Sequence, residues 1–189
     1  MSQAMIDRQQ TVLHAAFQAF ATYGYRRTSM EDVARVAGLS RTALYQHFRN
    51  KEDIFRSLAV NYFDEALLNM QAALLQPGQT AQQALYACFV AKDGKFMDVV
   101  LTAPHGAELL DAGFSVSGDL AGEGETRMTK VLAAWFQDRG LAQDLGPASE
   151  FAGVVIAALT GLKSTVKTVE ALRAGEQRLA ALVARALQI

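Results

Sequence analysis

The stretch "GLSRTALYQHFRNKEDIF", residues 38–55, decides how the N-terminal part of the chain folds. Gly38 can take the positive φ that a sharp turn after a helix requires, and Ser40 is a residue type that caps the next helix. Leu44 and Phe48 stand four residues apart, so they share one face of that helix and can anchor it from the inside. The stretch therefore predicts a short helix between a turn and the start of another helix.

The opposite face of this short helix carries side chains that can bind a partner. Arg41, Thr42 and Tyr45 point away from Leu44 over the first turn and a half, and Lys51 stands where the next helix begins. The ammonium of Lys51 and the free amides of a helix N-terminus can share one phosphate. A plain structural role stays open for each residue alone, since Tyr45, for example, can simply cover the helix.

Upstream of Gly38 the sequence predicts two more helices. An apolar stripe from Ile6 to Phe20 indicates a first helix of about five turns that ends at Gly24. Ser29 then caps a second, short helix, whose inward residues are Met30, Val33, Ala34 and Ala37. Two short helices joined at "AGLS" within a three-helix head are typical of a helix-turn-helix, in which the second helix enters the DNA major groove.

The segment from Gly24 to Phe55, "GYRRTSMEDVARVAGLSRTALYQHFRNKEDIF", resembles the N-terminal signature of the tetracycline-repressor (TetR) family of bacterial transcriptional regulators. The match has no gap and includes the Thr-Ser pair at 28 and 29, the "AG" turn at 37 and 38 and "KED" at 51 to 53. The rest of the chain fits the family only in length and helical content. The resemblance implies a homodimeric, ligand-responsive regulator, most often a repressor, that binds a palindromic operator in double-stranded DNA.

Carried over position by position, the resemblance also implies a set of DNA-binding residues. Thr28 and Ser29 would contact phosphate at the start of the second helix, and His47 and Lys51 would grip the DNA backbone. The full set is Arg27, Thr28, Ser29, Arg41, Thr42, Tyr45, His47 and Lys51. Many family members have Gly or Pro where this chain has Thr42, which is a departure from the pattern. Plain alternatives stay open for Arg27, as a solvated charge, and for His47, as a partner of a neighbouring carbonyl.

The charge of the chain is unevenly distributed. Although the net charge is -1, residues 1–51 hold seven Lys or Arg and three Asp or Glu, a net charge of +4. The remainder holds eleven bases and sixteen acids, a net charge of -5. Because the field that attracts phosphate is local and is screened over about 8 to 10 Å, a basic head on an acidic body favours a polyanionic partner. A chance fluctuation of a few charges is the alternative.

Helical periodicity continues to the C-terminus, and only three prolines occur in 189 residues. The fold class predicted is all-α, with a three-helix helix-turn-helix head (1–51) joined by a long helix to a helical ligand-binding and dimerisation domain (52–189). The long helix starts at Glu52 and ends at "QPGQT". Further helices are predicted over 81–89, 96–101, 104–110 and 128–140, and the last two over 147–172 and 176–187. Four glycines make 112–124 the best candidate for a mobile connection.

The segment "FAGVVIAALTGL", residues 151–162, is apolar nearly all round, and its small residues permit close approach of another helix. Together with the apolar face of the last helix, it predicts a two-helix patch that pairs with its symmetry mate as a four-helix bundle. The predicted dimer interface consists of Phe151, Val154, Val155, Ala158, Leu162, Leu179, Leu182, Val183 and Ala186. A monomer core is the alternative on sequence alone, whereas the resembled family dimerises in this way.

The middle helices hold an excess of Met and aromatic residues, which suit small-molecule sites that adapt their shape. The predicted residues for binding an apolar or amphipathic effector are Phe63, Met70, Phe89, Phe96, Met97, Leu109, Phe114, Met128 and Trp135. Ordinary core packing is the alternative for each of them. His105 and Glu108 are spaced like a pair of metal ligands, but a single pair is a weak signal, so we predict neither a metal nor a cofactor.

Other functional classes fit the sequence less well. We predict no enzyme, because the sequence has no GxxxxGK[ST] loop, no CxxC pair and no GxSxG motif. A nucleic-acid-coating protein is a second alternative, which the large acidic body disfavours. With a single cysteine, Cys88, and no apolar run near the roughly 18 residues of a spanning helix, we expect a cytoplasmic protein without a membrane partner.

Overall fold

The computed structural model describes residues 3–140 and 145–187, with the side chains of all of these except residues 3–7 and 114. The described residues form eight α-helices, so the all-α fold class is confirmed. The helices are α1 (Gln3–Tyr23), α2 (Met30–Val36), α3 (Arg41–Tyr45), α4 (Lys51–Leu74), α5 (Ala81–Thr102), α6 (Gly106–Arg139), α7 (Ala148–Thr165) and α8 (Val169–Ala184).

The helices divide into two compact units. The head unit comprises the chain up to Tyr62 together with Val99–Ala121, and the body unit comprises Phe63–Asp98 and the chain from Gly122 onward. Helices α4, α5 and α6 therefore each contribute residues to both units. The predicted boundary lies between residues 51 and 52, whereas the head unit also includes the first half of α4, the end of α5 and the start of α6.

The turn between α2 and α3 has the geometry that its sequence predicts. Gly38 adopts a φ of 65°, a left-handed conformation that glycine takes without strain. The N–H of Leu39 donates to the carbonyl of Ala34 at 2.9 Å, and the N–H of Gly38 donates to the carbonyl of Arg35 at 3.3 Å. These bonds satisfy carbonyls at the end of α2 and close the helix sharply.

Three aromatic rings join α1, the loop after it and α4 inside the head unit. The ring of Tyr25 meets that of Phe20 edge-on at 5.3 Å between centroids and that of Phe55 at 4.9 Å. Phe20 is fully buried and Phe55 is 5% exposed. Edge-to-face contacts of this kind add to the burial of apolar area, so the loop after α1 is packed against the head core at Tyr25.

The core of the body unit is a cluster of buried apolar side chains from α4 to α8, which includes Met70, Phe89, Phe136, Val155 and Val183. The single cysteine, Cys88, also lies in this core, and burial raises the pKa of its thiol to about 12. The body unit buries charged groups as well: Lys92, Asp93 and Glu176 are 2% exposed or less.

The segment 112–124 is not the mobile connection that its glycines predict. It forms part of α6, with one non-helical residue at Ser117 (φ -135°, ψ 23°). Gly124 is buried in the body unit, where a Cβ would collide with the ring of Phe63. The glycine thus permits close packing of α6 on α4, and this tertiary contact outweighs the weak helix propensity of glycine.

Two predicted helix boundaries also change. The predicted helices 81–89 and 96–101 are parts of α5, which Gly94 interrupts with a φ of 52° and a ψ of -160°. The predicted helix 147–172 is wrong at its C-terminal end, because Val166 is extended and Thr168 caps α8 by accepting the N–H of Ala171 at 3.1 Å. Four of the five residues 165–169 are β-branched, which lowers the helix propensity at this break.

Candidate nucleic-acid interface

Helix α3 is held in place by its cap and by its buried face. The hydroxyl oxygen of Ser40 accepts the N–H of Ala43 at 3.1 Å, which satisfies one of the free amides at the start of the helix. Leu44 is fully buried and Phe48 is 3% exposed. Because a cap and two buried side chains fix this helix of five residues, its outer face is presented in a defined orientation.

The outer face of α3 carries Arg41, Thr42 and Tyr45, all of them exposed. The guanidinium of Arg41 forms an ion pair with Glu31 of α2 and lies 5.6 Å from the centroid of the Tyr45 ring. The side chains of Arg41 and Glu31 are 61% and 63% exposed, and ion pairs as exposed as this contribute little. A phosphate or a base edge can therefore replace Glu31 at small cost. Sequence reasoning missed Glu31, because no helical spacing rule connects residues ten apart across a turn.

Ser29 caps α2 through a reciprocal pair of hydrogen bonds. Its hydroxyl oxygen accepts the N–H of Asp32 at 3.2 Å, while the Asp32 carboxylate accepts the Ser29 backbone N–H at 3.0 Å and the hydroxyl at 2.6 Å. These bonds from Ser29, with a further bond from Arg35, lower the pKa of Asp32 to about 2. Ser29 is exposed, but its hydroxyl proton is already donated within the chain.

Thr28 does not occupy the position that the resemblance implies. The side chain is buried at 2% exposure, and its hydroxyl donates to the carbonyl oxygen of Gly24 at 2.7 Å. The backbone N–H of Thr28 donates to the same carbonyl at 3.1 Å. Thr28 therefore stabilises the loop between α1 and α2, and a phosphate contact by its side chain does not fit this structure. The motif matched the residue type, but a motif carries no information on burial.

Lys51 also binds within the chain. Its Nζ donates to the carbonyl oxygens of Tyr25 at 2.6 Å and Arg26 at 3.2 Å, and it lies 4.6 Å from the centroid of the Tyr25 ring. Burial lowers the pKa of this ammonium, whereas the negative charge of Glu108 acts in the opposite direction. In this structure the ammonium thus binds the loop between α1 and α2, and its contact with DNA stays a prediction.

The other residues of the predicted DNA-binding set differ in exposure. His47 is half-buried, and its backbone N–H donates to the carbonyl of Leu44 at 3.0 Å. Arg27 is exposed. Of the eight predicted residues, the structure leaves five exposed, namely Arg27, Ser29, Arg41, Thr42 and Tyr45.

The predicted effector-binding residues are not confined to one compact unit. Leu109 is buried in the head unit, and the Phe114 side chain lies outside the described part of the structure. In the body unit, Phe63 and Phe96 are half-buried. The remaining five predicted residues are buried, at 7% exposure or less, namely Met70, Phe89, Met97, Met128 and Trp135. Four of these side chains, all except Met97, belong to the core of the body unit.

The predicted dimer residues divide between the core and the surface of α7 and α8. Val155 and Val183 are buried in the core of the same chain, at 2% and 5% exposure. Val154 and Leu182 are 66% and 63% exposed, and Ala158 is exposed as well. The remaining predicted residues are half-buried, namely Phe151, Leu162, Leu179 and Ala186. An apolar exposed face thus exists on these helices, but Val155 and Val183 are not part of it.

Two further features concern the described residues as a whole. Within residues 3–140 and 145–187, no three His, Cys, Asp or Glu side chains come together as a group that could hold a metal ion. Among the same residues, no helix combines the length and the apolar character that crossing a membrane requires.

The turn at Gly38, the caps at Ser29 and Ser40 and the exposed face of α3 define the class: this is an all-α protein with an N-terminal helix-turn-helix. The family model described as "Bacterial regulatory proteins, tetR family" matches residues 12–58. This match covers about a quarter of the chain, namely the part that contains the helix-turn-helix.

Individual proteins that are similar to this chain are also transcriptional regulators by name. The HTH-type transcriptional regulator YhgD of Bacillus subtilis is 35% identical over 60 residues, which is 32% of this chain and 31% of YhgD. The chain thus aligns with about a third of the length of its curated relatives. A TetR-family transcriptional regulator from Pectobacterium atrosepticum has the same fold over 100% of this chain and 99% of its own, with a TM-score of 0.70 and 20% identity. A transcriptional regulator from Rhodococcus sp. Rha1 is similar over 96% and 98% of the two chains, with a TM-score of 0.73 and 17% identity.

Proposed function

We propose that this protein is a homodimeric transcriptional regulator that binds a palindromic DNA operator through α3. The observation that carries the proposal is the exposed face of Arg41, Thr42 and Tyr45 on a helix whose opposite face and N-terminus are fixed. The net charge of +4 over residues 1–51 supports a polyanionic partner. The relatives are named as transcriptional regulators, which favours a non-catalytic role. A DNA partner supports a cytoplasmic location.

The proposal is tested by selecting duplexes from a random-sequence DNA pool with the full chain. A regulator enriches one short palindrome and binds it at least about a thousand-fold more tightly than unselected duplex. A coating protein, the alternative, binds both with a ratio near one. Enrichment of no sequence would exclude operator recognition.

A variant of α3 then tests whether this helix contacts the bases of the operator. We expect Arg41→Ala to lower affinity for the selected duplex by about 1 to 3 kcal/mol and to relax base preference at one position of each half-site. Arg178→Ala removes another exposed arginine, from α8, and serves as the control. Equal affinities in the two variants would move the reading surface away from α3.

We propose that the dimer forms through the exposed apolar face of α7 and α8. Val154, Ala157, Ala158 and Gly161 lie on one side of α7, and Leu182 of α8 is exposed as well. Small residues let two helices approach closely, and a twofold dimer suits a palindromic operator, because its two recognition helices enter grooves about one helical turn apart.

We further propose a repressor whose body unit binds an apolar or amphipathic small molecule that releases the operator. The Met side chains in its core support this, because Met adapts to differently shaped ligands. A thermal-shift screen of long-chain carboxylates and quaternary ammonium cations would find binders, and titration of these against the free protein and the protein bound to selected DNA tests the coupling. By linkage, a ligand that lowers DNA affinity about 5- to 150-fold is itself bound that much more weakly by the DNA complex. Identical ligand affinity of the free protein and the DNA-bound protein would show that the ligand does not control DNA binding.

A further inference from the structure

One peptide group in the loop between α1 and α2 is held from both sides by charged residues of other helices. Its carbonyl, that of Tyr25, accepts a hydrogen bond from Lys51 Nζ of α4 at 2.6 Å. Its N–H, that of Arg26, donates to Glu108 Oε1 of α6 at 2.6 Å. Because both bonds involve a charged group, each is stronger than an ordinary backbone hydrogen bond.

The loop is shaped to receive Glu108. Gly24 has a φ of +88°, and a Cβ at this residue would collide with the Glu108 carboxylate. Just before Glu108, the backbone N–H of His105 donates to the carbonyl of Ala21 at 3.2 Å, and His105 Nδ1 lies 3.6 Å from Glu108 Oε2. The start of α6 is therefore fitted against the end of α1 at several points, all of them within the head unit.

The first part of α6 is also attached to α4 farther along. The guanidinium of Arg56 donates to both carboxylate oxygens of Asp119, at 2.9 and 2.6 Å, and to the carbonyl of Val116 at 2.8 Å. Helix α6 is thus tied to α4 near Ser117, and to the loop between α1 and α2 at Glu108. The same helix continues to Arg139 in the body unit.

We propose that Lys51 and Glu108 are positioning residues, which hold the Tyr25–Arg26 peptide and thereby fix the exposed residues that follow it, Arg27 and Ser29, for binding DNA. The proposal rests on the DNA-binding function proposed above. It gives Lys51 a role other than a phosphate contact, and it assigns a role to Glu108, which is 83 residues away from Tyr25 in the sequence. Since α6 supplies Glu108, a displacement of the start of α6 releases this peptide.

The first test measures hydrogen exchange of the Arg26 amide by NMR, without DNA. We expect Glu108→Ala to speed the exchange of this amide by about ten-fold or more, because its acceptor is removed. Glu108→Gln retains an oxygen that accepts the same bond and should restore protection. The Leu44 amide of α3, bonded to the Ser40 carbonyl, lies outside this loop and is the internal reference, and Asp111→Asn removes an exposed charge from the same helix as a control.

The second test measures affinity for the duplex selected by the wild-type protein over a series of salt concentrations. Glu108→Ala should weaken binding by about ten-fold or more, while Glu108→Gln and Asp111→Asn stay close to wild type. Lys51→Met keeps the apolar stem over the Tyr25 ring but removes the ammonium. We expect it to weaken binding without changing the dependence of affinity on salt, whereas loss of a phosphate contact reduces that dependence by about one unit.

Thermal unfolding of each variant separates a released loop from an unfolded chain, and Lys51→Gln, which also removes the positive charge, replaces Lys51→Met if the latter does not fold. An Arg26 amide that stays protected in Glu108→Ala would overturn the proposal. So would wild-type affinity in Glu108→Ala, or a reduced salt dependence in the Lys51 variant. If the wild-type protein selects no duplex, the proposed function fails, and the exchange measurement still decides whether Glu108 holds the loop.

Discussion

The head and body units both contain carboxylates with shifted pKa values, and the shifts have opposite directions. In the head unit, Asp32 and Asp119 lie at the surface and accept hydrogen bonds from Ser29 and Arg56, and these bonds lower the pKa of each to about 2. In the body unit, the Glu176 side chain is fully buried beside Asp93, and burial raises its pKa to about 7. The proximity of Asp93 raises it further, while Arg173 acts in the opposite direction.

This difference shows that the exposure of a charged group, and not the number of charges in the unit, determines whether the group can exchange its partner. The ion pair of Arg41 and Glu31 in the head unit remains in water, where a polyanion can replace the Glu31 carboxylate. The body unit neutralises its charges internally: Asp93 Oδ1 lies 2.5 Å from Lys163 Nζ and 3.7 Å from Lys92 Nζ. Burial of charges is costly unless they are paired, so we expect the body unit to respond more strongly than the head unit to a change in a charged residue.

The largest effect expected is that of an unpaired charge in the body core. Val155→Glu introduces a carboxylate at a residue that is 2% exposed, so we expect a loss of about 4 kcal/mol or more of stability, or no folded protein. The adjacent residue, Val154, is 66% exposed, so we expect the Val154→Glu variant to fold normally. Urea unfolding measures both variants, and sedimentation measures their mass.

If the proposed dimer interface is correct, folded Val154→Glu is a monomer. An intact dimer for this variant would place the interface elsewhere, and equal stability of the two variants would contradict the burial that separates them.

A smaller effect is expected when a buried ion pair loses one partner. Asp93→Asn leaves Lys163 and Lys92 without their carboxylate, and breaking a buried pair costs about 3 to 5 kcal/mol. The matched control is Asp64→Asn, which removes the partner of Arg127 in a pair that is 43% and 50% exposed and should cost about 1 kcal/mol or less. Urea unfolding of the two variants compares them. A cost near that of the control for Asp93→Asn would show that the buried cluster is not paired as described.

The pH dependence of stability should reveal the raised pKa of Glu176. Its pKa in the folded chain, about 7, exceeds its ordinary value of 4.5, so the folded form holds the proton more tightly than the unfolded chain. The resulting stability is fully present below pH 4.5 and is lost as the pH rises through about 7. Asp32 and Asp119, with pKa values of about 2, keep their charge in this range.

We therefore expect the free energy of unfolding to fall between pH 5 and pH 8 in the wild-type protein relative to Glu176→Gln, as measured by urea unfolding at each pH. Parallel profiles for the two proteins would show that Glu176 does not titrate in this window.

The smallest effect concerns the surface of the head unit. Glu31→Gln removes the exposed partner of Arg41, so DNA no longer has to displace it. We expect affinity for the selected duplex to rise about two- to five-fold, as the loss of an exposed ion pair allows. Asp111→Asn, which removes one exposed negative charge from the same unit, controls for a general change in net charge. An equal rise in both variants would assign the effect to net charge and not to the pair.

The parts of the fold that sequence predicted are those fixed by local chemistry. Ser29, Ser40 and Gly38 each determine the backbone within three or four residues, so the helix-turn-helix followed from its residues alone. The glycines of 112–124 misled the prediction, because the packing of Gly124 against Phe63 joins residues 61 apart in the chain. Such contacts leave no local pattern.

The lack of a local pattern for long-range contacts also explains which features of the candidate site the sequence predicted. Arg41 and Tyr45 follow from helical spacing, since outward positions on a capped helix are a local property. The burial of Thr28 and the partners of Lys51 depend on a loop and on α6, whose start lies more than fifty residues beyond Lys51. Val155 and Val154 were indistinguishable in an apolar run, because periodicity is lost where nearly every residue is apolar.

The burial of Cys88 makes the natural chain suitable for labelling experiments. Maleimides react with the thiolate, and a thiol in the core with a pKa of about 12 holds almost none of it at neutral pH. A cysteine introduced at Gln46, which is exposed, would therefore carry a spin label or fluorophore alone, without replacement of Cys88. In a dimer, two such labels would report the separation of the recognition helices directly, with and without DNA, by electron paramagnetic resonance or energy transfer.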